Sequence, residues 1–554
     1  MELTVRQLSS LDKFRKTDPM PDESLKTAAV PAGQRFSYQI ALKSDLRVYV
    51  SAQAESDFPG AVRLYAVKDA VMDVPVDGNY PMEDYITHTP GLMPDILIPL
   101  EEAGKLTVTA VPATLWVKAD AARDAAPGVY PIRITLTAVK DGGEVACVET
   151  AELSLEVVAA NIPENTVLYT RWLYADCIAN AHDVEIFSEE HWAWLEKYIA
   201  AAADAGINML LVPVHTPPLD TEIGTARPCV QLVDIEKTED GYRFGFDKFR
   251  RYIALCQKYG IRYFEIAHMF SQWGAKFAPN IYVTEKGVLS HRFGWHTPAD
   301  SGEYVAFLKQ YIAAISGELK NLGISENTYF HISDEPKLSN ADTYRTAAQI
   351  IRPLIGSSKT LDALSDYHFY ESGLVECPVT SIAHINGFLP HNVPEQWVYY
   401  CCGPRTVYSN VFLAMPSYRV RILGFLIYKY NIKGFLHWGF NYYNAARSLY
   451  PINPFVTTSG DGAYSSGDPF IVYPGKTAVY PSIRGEVTRE AMEDAALCRA
   501  AEEKIGREAV VALIDRLAGG ELRFDCYPQG KEYIETLRSQ LIELLKQDGF
   551  FTLA

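Results

Sequence analysis

The feature that most constrains the fold is a series of eight short apolar segments that begins at residue 167. Each segment has the length of a buried strand, and amphipathic helical stretches such as 188–206 lie between them. Eight strands that alternate with helices predict a central (β/α)8, TIM-like barrel. The predicted strands are 167–174, 207–214, 261–268, 327–334, 359–366, 381–387, 396–402 and 432–438.

The flanking regions have different patterns. Residues 1–160 contain short runs of alternating apolar and polar side chains, separated by Gly, Pro and Asp, which predict an antiparallel β-sandwich domain. Residues 486–554 have helical periodicity and predict a C-terminal helical segment packed on the barrel. With the barrel at 165–485, the chain is expected to be a multidomain protein of α/β plus all-β class.

Charge and composition exclude several classes of function. The 554 residues include 51 Lys and Arg against 68 Asp and Glu, which gives a net charge of −17. Nucleic acids and anionic membrane surfaces attract clustered cations, so neither is an expected partner. The sequence has no apolar run long enough to cross a bilayer and no apolar signal-peptide core near its start. We therefore expect a cytoplasmic protein, although a mature chain without its signal would look the same; the oligomeric state is not indicated.

In a (β/α)8 barrel the active site lies at the carboxyl ends of the strands. The side chains expected there are acids, amides, hydroxyls and aromatic rings with few basic groups, which disfavours phosphate and resembles a carbohydrate site. The candidate substrate-binding residues follow strand one (Trp172, Tyr174, Asp176), strand two (His215, Asp220), strand three (His268), strand five (Asp366, Tyr367), strand six (Asn386), strand seven (Tyr400) and strand eight (Trp438, Asn441).

The triplet Asp334-Glu335-Pro336 at the end of strand four is the sharpest signal for catalysis. Adjacent carboxylates repel each other, so this pair is a poor choice for stability alone. Pro336 favours an extended backbone at Glu335, and strand alternation then points the two side chains in opposite directions. At a fraying strand end both still reach the pocket. A solvated loop or a helix N-cap is the alternative for such a pair.

Metal and cofactor signals are weak. The sequence has no HExxH motif, and His384 and His391 have no Cys or acid at metal-ligand spacing, so we expect neither a metal nor another cofactor. His215 and His268 are as readily explained by core packing as by substrate binding. The segment Gly475-Lys476-Thr477 imitates a phosphate loop, but Phe470 occupies the position where that loop requires its first glycine.

Several stretches resemble glycoside hydrolase family 123 and its relatives, including SEEHWAWLEKYIAAAADAGINMLLVPVHTPPLDT, HISDEPKL, VYYCCGP, IKGFLHWGFNYYN and GDPFIVYPG. The resemblance covers about residues 170–500 and implies a β-N-acetylgalactosaminidase with a retaining, substrate-assisted mechanism, in which the 2-acetamido oxygen of the sugar attacks the anomeric carbon. It implies that Asp334 orients the acetamido N–H, and that Glu335 protonates the leaving oxygen and then activates water.

Two alternatives stay open. One is a glycosidase for a sugar without the 2-acetamido group, which needs a separate carboxylate nucleophile such as Asp366 or Asp176. The other is a non-catalytic carbohydrate-binding protein, against which the Asp334-Glu335 pair argues. In the leading interpretation the partner is an oligosaccharide or glycoconjugate with a terminal β-linked sugar.

Overall fold

The structure is a computed structural model that describes residues 2–76, 84–164 and 166–546, and its N-terminal part is built from two five-stranded sheets. The elements of this part are β1 (Leu3–Ser9), β2 (Thr27–Pro31), β3 (Arg35–Ser44), β4 (Val48–Glu55), β5 (Gly60–Met72), β6 (Gly91–Pro99), α1 (Leu100–Ala103), β7 (Leu106–Val108), β8 (Ala113–Ala121), β9 (Gly128–Val139) and β10 (Val145–Val158). The strand orders are β1-β3-β8-β5-β6 and β2-β10-β9-β4-β7.

The two N-terminal sheets share one hydrophobic core. Every second residue of β9 is fully buried, at Ile132, Ile134 and Leu136, as expected for a strand with one face on a core. These side chains belong to the same cluster as Ile40 of β3 and Val117 of β8, which lie in the other sheet. In β9 the alternation in the sequence therefore marks the buried face correctly.

The rest of the chain alternates strands and helices. Its elements are β11 (Leu168–Arg171), α2 (Ala175–His182), α3 (Glu189–Asp204), β12 (Met209–Val212), β13 (Asp234–Lys237), β14 (Tyr242–Gly245), α4 (Asp247–Lys258), β15 (Tyr263–Ile266), β16 (Ile281–Glu285), β17 (Val288–Phe293), α5 (Gly302–Asn321), β18 (Thr328–Phe330), α6 (Ala341–Ile351), β19 (Lys359–Leu364), α7 (His368–Glu371), β20 (Cys377–Ser381), β21 (Trp397–Tyr399), α8 (Ser417–Arg421), α9 (Leu423–Lys429), β22 (Gly434–His437), β23 (Tyr473–Pro474), β24 (Val479–Tyr480), α10 (Ile483–Ile505), α11 (Arg507–Ala518) and α12 (Glu532–Lys546).

Eight of these strands form a closed barrel in the order β11-β12-β15-β18-β19-β20-β21-β22. All neighbours are parallel, and β22 pairs with β11 to complete the closure. The prediction of an eight-stranded parallel barrel is confirmed. Parallel strands bring all their carboxyl ends to one rim, so the segments that follow them meet there.

The sixth strand was predicted in the wrong place. It runs from Cys377 to Ser381, whereas the predicted segment 381–387 begins where pairing ends and includes a 3-10 turn at Ile385–Gly387. Apolar residues continue from the strand into this turn, so hydrophobic pattern alone does not mark the end of pairing. Asn386 consequently lies in the turn instead of at a strand end.

Helix α3 shows how local signals fix the barrel helices. The Ser188 hydroxyl accepts a hydrogen bond from the backbone N–H of His191 at 3.2 Å, which satisfies one unpaired donor of the first turn. The helix then buries Trp192, Leu195 and Ile199 on one face. Ser188 is therefore the N-cap of α3, at the start of the helical stretch predicted from the sequence.

Helix α10 joins the N-terminal sheets to the barrel. It is buried along most of its length and begins at Ile483, three residues before the start expected for the C-terminal segment. Glu486 pairs with Arg35 of β3 at 2.9 Å and also with Lys118 of β8, while Arg421 of α8 pairs with Asp494. No helix within the described ranges is long and apolar enough to cross a membrane.

Candidate active site

A cleft with a volume of about 160 Å³, partly open to solvent, lies at the carboxyl-end rim of the barrel. The residues that line it come from the segments that follow several barrel strands and from later loops: Trp172, Tyr174, Leu219, Asp220, Gln272, Trp273, Asp334, Glu335, Ala363, Tyr399, Cys401, Cys402, Leu436, Trp438 and Tyr464. The rim predicted from strand ends therefore contains a real pocket.

Asp334 and Glu335 both line this cleft, four and five residues beyond the end of β18 at Phe330. The extended backbone predicted for Glu335 is wrong, because its φ is +42°. This left-handed conformation is strained for a residue with a side chain. It breaks the alternation of an extended strand, so the two adjacent carboxyls lie in the same pocket.

Hydrogen bonds from neighbouring strands hold the pair in place. The Tyr399 hydroxyl, at the end of β21, donates to Glu335 Oε1 at 2.7 Å. The Trp273 backbone N–H donates to the Asp334 carbonyl at 3.0 Å. Tyr400, the residue predicted to bind substrate, instead points away from the cleft and packs on Phe435, because successive strand side chains face opposite sides.

The electrostatics of the pair favour the protonated form of Asp334. Burial raises the pKa of Asp334 well above its usual range, and the neighbouring Glu335 carboxylate raises it further. The nearby His331 cation opposes this shift without reversing it. A carboxyl that is buried beside a second acid therefore holds its proton more tightly than an ordinary aspartate.

A buried network lies below the pair. Glu265 Oε2 accepts hydrogen bonds from the Trp172 indole N–H at 3.1 Å and from His331 Nε2 at 2.7 Å. His331 Nδ1 lies 3.2 Å from Asp362 Oδ1. Burial alone would lower the pKa of His331, but its contacts with Asp362 and Glu265 outweigh burial and raise the pKa to about 9. The imidazolium therefore fixes Glu265, which in turn orients Trp172 at the cleft wall.

The same region contains a group of three potential metal ligands within the described residues: His268, His331 and Asp362. Their geometry does not suit a metal. The two imidazole rings are stacked with centroids 4.1 Å apart and planes 14° apart, so their in-plane lone pairs do not converge. Both nitrogens of His331 are already engaged by Glu265 and Asp362.

On the opposite side of the cleft, Asp220 is held rigidly and Gln272 has a donor to spare. Asp220 Oδ2 accepts hydrogen bonds from the hydroxyls of Tyr442 at 2.6 Å and Tyr464 at 2.5 Å, and from the backbone N–H of Arg447 at 2.9 Å. Gln272 Oε1 accepts from the Asp220 backbone N–H at 2.7 Å. Its buried Nε2 has no hydrogen-bond partner in the described part of the chain, and such a donor suits a sugar hydroxyl.

Trp438 forms an aromatic wall, as the sequence predicted from its position after strand eight. It lines the same cleft as Asp334 and packs against Tyr442 and Tyr464, with centroids 5.0 and 5.2 Å away. Its indole N–H donates to the buried Asp468 at 3.2 Å, which fixes the ring plane. Trp172, Tyr174 and Asp220 are further predicted residues found in the cleft lining.

Other predicted residues near the first two strand ends serve the frame of the site and do not line the cleft. Asp176 lies in the first turn of α2 and forms a fully buried ion pair with Arg227, with Oδ2 2.9 Å from Nε. Asn441 forms two hydrogen bonds with the backbone of Tyr174: its Oδ1 accepts from the N–H and its Nδ2 donates to the carbonyl. His215 Nε2 lies 2.9 Å from a backbone carbonyl, and burial lowers its pKa to about 4, so it is neutral.

Four more predicted residues lie outside the cleft lining. His268 is buried in the stack described above. Asp366 Oδ1 accepts a hydrogen bond from the backbone N–H of His368, the first residue of α7, at 2.9 Å. Tyr367 stacks on His391, with centroids 3.9 Å apart. Asn386 is exposed in its 3-10 turn, a consequence of the misplaced sixth strand.

The cleft also contains residues outside the predicted substrate-binding set. Gln272, Trp273 and Tyr399 follow or end barrel strands, so the strand-end rule was sufficient to find them. Cys401 and Cys402 lie just beyond β21 in the same way. Tyr464 comes from the long segment after the barrel closes, and no local pattern places it beside Asp220.

Comparisons with known proteins agree with this geometry. Residues 172–501 match the family model described as "Glycoside hydrolase 123, catalytic domain". A family 123 glycoside hydrolase from Clostridium perfringens, whose structure was determined in a study of glycolipid glycan hydrolysis, is similar over 98% of this chain and 97% of its own, with a TM-score of 0.70 and 17% identity. A Bifidobacterium dentium β-glucuronidase covers 83% of this chain and 62% of its own, with a TM-score of 0.29 and 11% identity. No curated protein sequence matches the chain.

Proposed function

Since the chain belongs to glycoside hydrolase family 123 and is therefore a glycosidase, we propose that it removes β-linked N-acetylgalactosamine by a retaining, substrate-assisted mechanism. The observation that carries the proposal is the placement of Asp334 and Glu335 together in an aromatic-walled cleft at the barrel rim. The substrate is an oligosaccharide or glycoconjugate that presents the sugar at a terminus.

In the first step the 2-acetamido oxygen of the bound sugar attacks the anomeric carbon, and Glu335 gives its proton to the leaving glycosidic oxygen. Asp334 accepts the acetamido N–H and stabilises the positive charge that develops on the oxazolinium-like intermediate. In the second step Glu335 takes a proton from water, which attacks the anomeric carbon and restores the acetamide. Two displacements at one carbon retain its configuration.

The starting position of the proton fits this scheme once substrate is bound. Without substrate, the raised pKa of Asp334 favours its protonated form, whereas the mechanism needs Asp334 charged and Glu335 protonated. A hydrogen bond to a carboxylate favours its charged form. The acetamido N–H is such a donor, so its arrival drives the shared proton from Asp334 to Glu335. A sugar without this N–H lacks the trigger.

The cleft walls account for sugar binding. Trp438 offers an indole face to the apolar face of the ring, while Glu265 fixes Trp172, which follows the neighbouring strand β11. The unpartnered Nε2 of Gln272 donates to a sugar hydroxyl. If a sugar lacks the hydroxyl that would accept from this donor, the donor stays buried without a hydrogen bond. The cost of that unpaired group makes the cleft select between sugars.

The test compares aryl β-glycosides that differ at the 2-position. The 2-acetamido galactoside should be cleaved faster than its 2-hydroxy analogue by at least about 10³-fold, because the analogue lacks the intramolecular nucleophile. Proton NMR of the first product should show the β-anomer. Equal turnover of both substrates would refute assistance by the acetamide, and binding without turnover would indicate a carbohydrate-binding protein.

A carboxylate nucleophile supplied by the enzyme would have to be a residue other than the two candidates named from the sequence. Asp176 is paired with Arg227, Asp366 accepts a hydrogen bond from the backbone of His368, and neither acid lines the cleft. Apart from Asp334 and Glu335, Asp220 is the carboxylate that the lining contains. If the 2-hydroxy analogue is a good substrate, Asp220→Asn is therefore the variant that should abolish its turnover.

A further inference from the structure

Two adjacent cysteines, Cys401 and Cys402, line the active-site cleft immediately after β21. Both side chains are partly buried, and their sulfur atoms are 3.8 Å apart. The mechanism proposed above gives neither thiol a role. They are the thiols that line this cleft within the described residues.

The backbone around the two thiols is fixed by hydrogen bonds. The Cys401 N–H donates to the Gly403 carbonyl at 2.8 Å, and Asn410 Nδ2 donates to the Cys401 carbonyl at 2.9 Å. Arg405 Nε donates to the Cys402 carbonyl at 2.8 Å. The turn therefore presents both sulfur atoms on the same side, and little rearrangement is needed for one ligand atom to meet both.

The separation of the sulfurs is that of two thiolates on one soft centre. Ligands about 2.3 Å from a tetrahedral centre lie about 3.8 Å apart. The thiols are also unequal, because the hydrogen bond from Cys401 lowers the pKa of Cys402 and raises that of Cys401. Cys402 thus supplies the nucleophilic thiolate, and Cys401 lies within reach to form the second bond.

We propose that Cys401 and Cys402 form a bidentate thiol site for trivalent arsenicals, and that an occupied site closes the cleft to substrate. Zinc needs at least three protein ligands, and no third ligand joins these two sulfurs within the described ranges. A monosubstituted arsenical needs two thiols and no more. The inference is independent of which sugar the cleft accepts.

With phenylarsine oxide the reaction balances without an oxidant. Two arsenic–sulfur bonds form, the arsenic–oxygen bond breaks, and the two thiol protons leave with that oxygen as water. Arsenic stays trivalent throughout. The product places a phenyl group and an arsenic atom at the cleft wall near Glu335, whose charge acts electrostatically on both thiols. The general acid therefore loses access to a glycosidic oxygen.

The experiment treats the full chain with one equivalent of phenylarsine oxide and reads intact mass and glycosidase activity. The mass should increase by one phenylarsenic group less two hydrogens, and activity should fall at least tenfold. A dithiol such as 2,3-dimercaptopropanol should reverse both changes, and the same concentration of a monothiol should not. Because the mass readout needs no substrate, it stands even if the proposed sugar specificity fails.

Variants identify the site. Cys401→Ser and Cys402→Ser should each lose the stoichiometric adduct and at least tenfold in sensitivity, judged against the activity that each variant retains. Cys526→Ser removes an exposed cysteine outside the cleft and should behave as the wild type. Thermal unfolding of each variant checks that the fold survives, and Cys→Ala replacements serve if serine destabilises it. An unmodified wild type, or an undiminished adduct on Cys402→Ser, would overturn the proposal.

Discussion

Replacing Glu335 and Asp334 separately should damage two different steps, and the difference is measurable with leaving groups of graded ability. Glu335→Gln removes the proton donor and leaves the Asp334 carboxyl group in place. Asp334→Asn keeps the shape of the side chain but can no longer become an anion beside the developing cation. Both residues lie in a loop beyond β18 and contribute little packing, so neither change should unfold the protein.

The expected magnitudes follow from these roles. General acid catalysis contributes about 10² to 10⁴-fold, so Glu335→Gln should lose that much with a poorly leaving alkoxide and much less with an activated aryl group. A charge about 4 Å from the reacting centre contributes about 4 kcal/mol at an effective dielectric constant of 20, or about 10³-fold. Asp334→Asn should therefore lose about 10³-fold with every leaving group.

The pH dependence gives an independent check. Because burial and Glu335 raise the pKa of Asp334, the pair keeps one proton beyond the range of an ordinary carboxyl, and kcat/KM should fall on the alkaline side as that proton is lost. Glu335→Gln should abolish this alkaline step, because the residual activity of that variant no longer uses the proton of the pair. Steady-state kinetics over a series of aryl β-glycosides, with circular dichroism as the folding control, measures both effects. Equal dependence of the two variants on leaving-group ability would refute the division of roles.

Three further predictions test the surroundings of the pair. Tyr399→Phe removes the 2.7 Å hydrogen bond to Glu335, which is worth about 1.5–3 kcal/mol, and should lower kcat/KM about 10- to 150-fold. The matched control Tyr400→Phe should be near wild type. A similar loss in both variants would contradict the role assigned to Tyr399. Trp438→Ala should reduce kcat/KM by about tenfold or more while the melting temperature stays close to wild type, and unchanged kinetics would remove the ring from the binding site. His331→Gln should destabilise the fold by about 3–5 kcal/mol in urea unfolding, since it leaves two buried acids without their cation. In the wild type the raised pKa of His331 means that its contribution to the free energy of unfolding is complete below pH 6.5 and is lost as the pH rises through about 9. A free energy of unfolding that does not change across that pH range would be inconsistent with a charged His331.

The barrel could be predicted from the sequence because its signal is regular and local. Each strand is a short apolar run, and helices such as α3 carry an N-cap and an apolar face, here at Ser188 and Trp192. The sixth strand failed because the apolar run that contains it extends past the point where pairing stops. Hydrophobic pattern reports burial, and in a barrel the residues just beyond a strand end are buried as well.

A residue of the site could be predicted when its position along a strand decides whether it lines the cleft. It could not be predicted when contacts with distant residues decide this. Asp176 and Asp220 are both acids that follow strand ends. Asp176 is withdrawn from the cleft by Arg227, which lies 51 residues away in the sequence. Asp220 is kept in the cleft by hydroxyls such as that of Tyr464, 244 residues away. No local pattern carries information about either partner.

Glu335 shows why the local rule fails at the catalytic pair. The residue before a proline favours an extended backbone, yet its φ is +42°, and Trp273 and Asp220 in the same cleft also have positive φ values of 59° and 39°. Such conformations cost about 1–3 kcal/mol each and persist where surrounding contacts determine them. Here those contacts come from Tyr399 and from the backbone bond between Trp273 and Asp334.

The strain has a chemical consequence. An extended Glu335 would point away from Asp334, and the two carboxyls would titrate independently. The left-handed turn instead confines both to one buried pocket, where the neighbouring carboxylate helps to raise the pKa of Asp334. The proposed mechanism needs one proton and one negative charge at this position. A backbone that departs from its preferred conformation brings the two acids together, and in the proposed mechanism the acetamido N–H of the substrate decides which acid carries the proton.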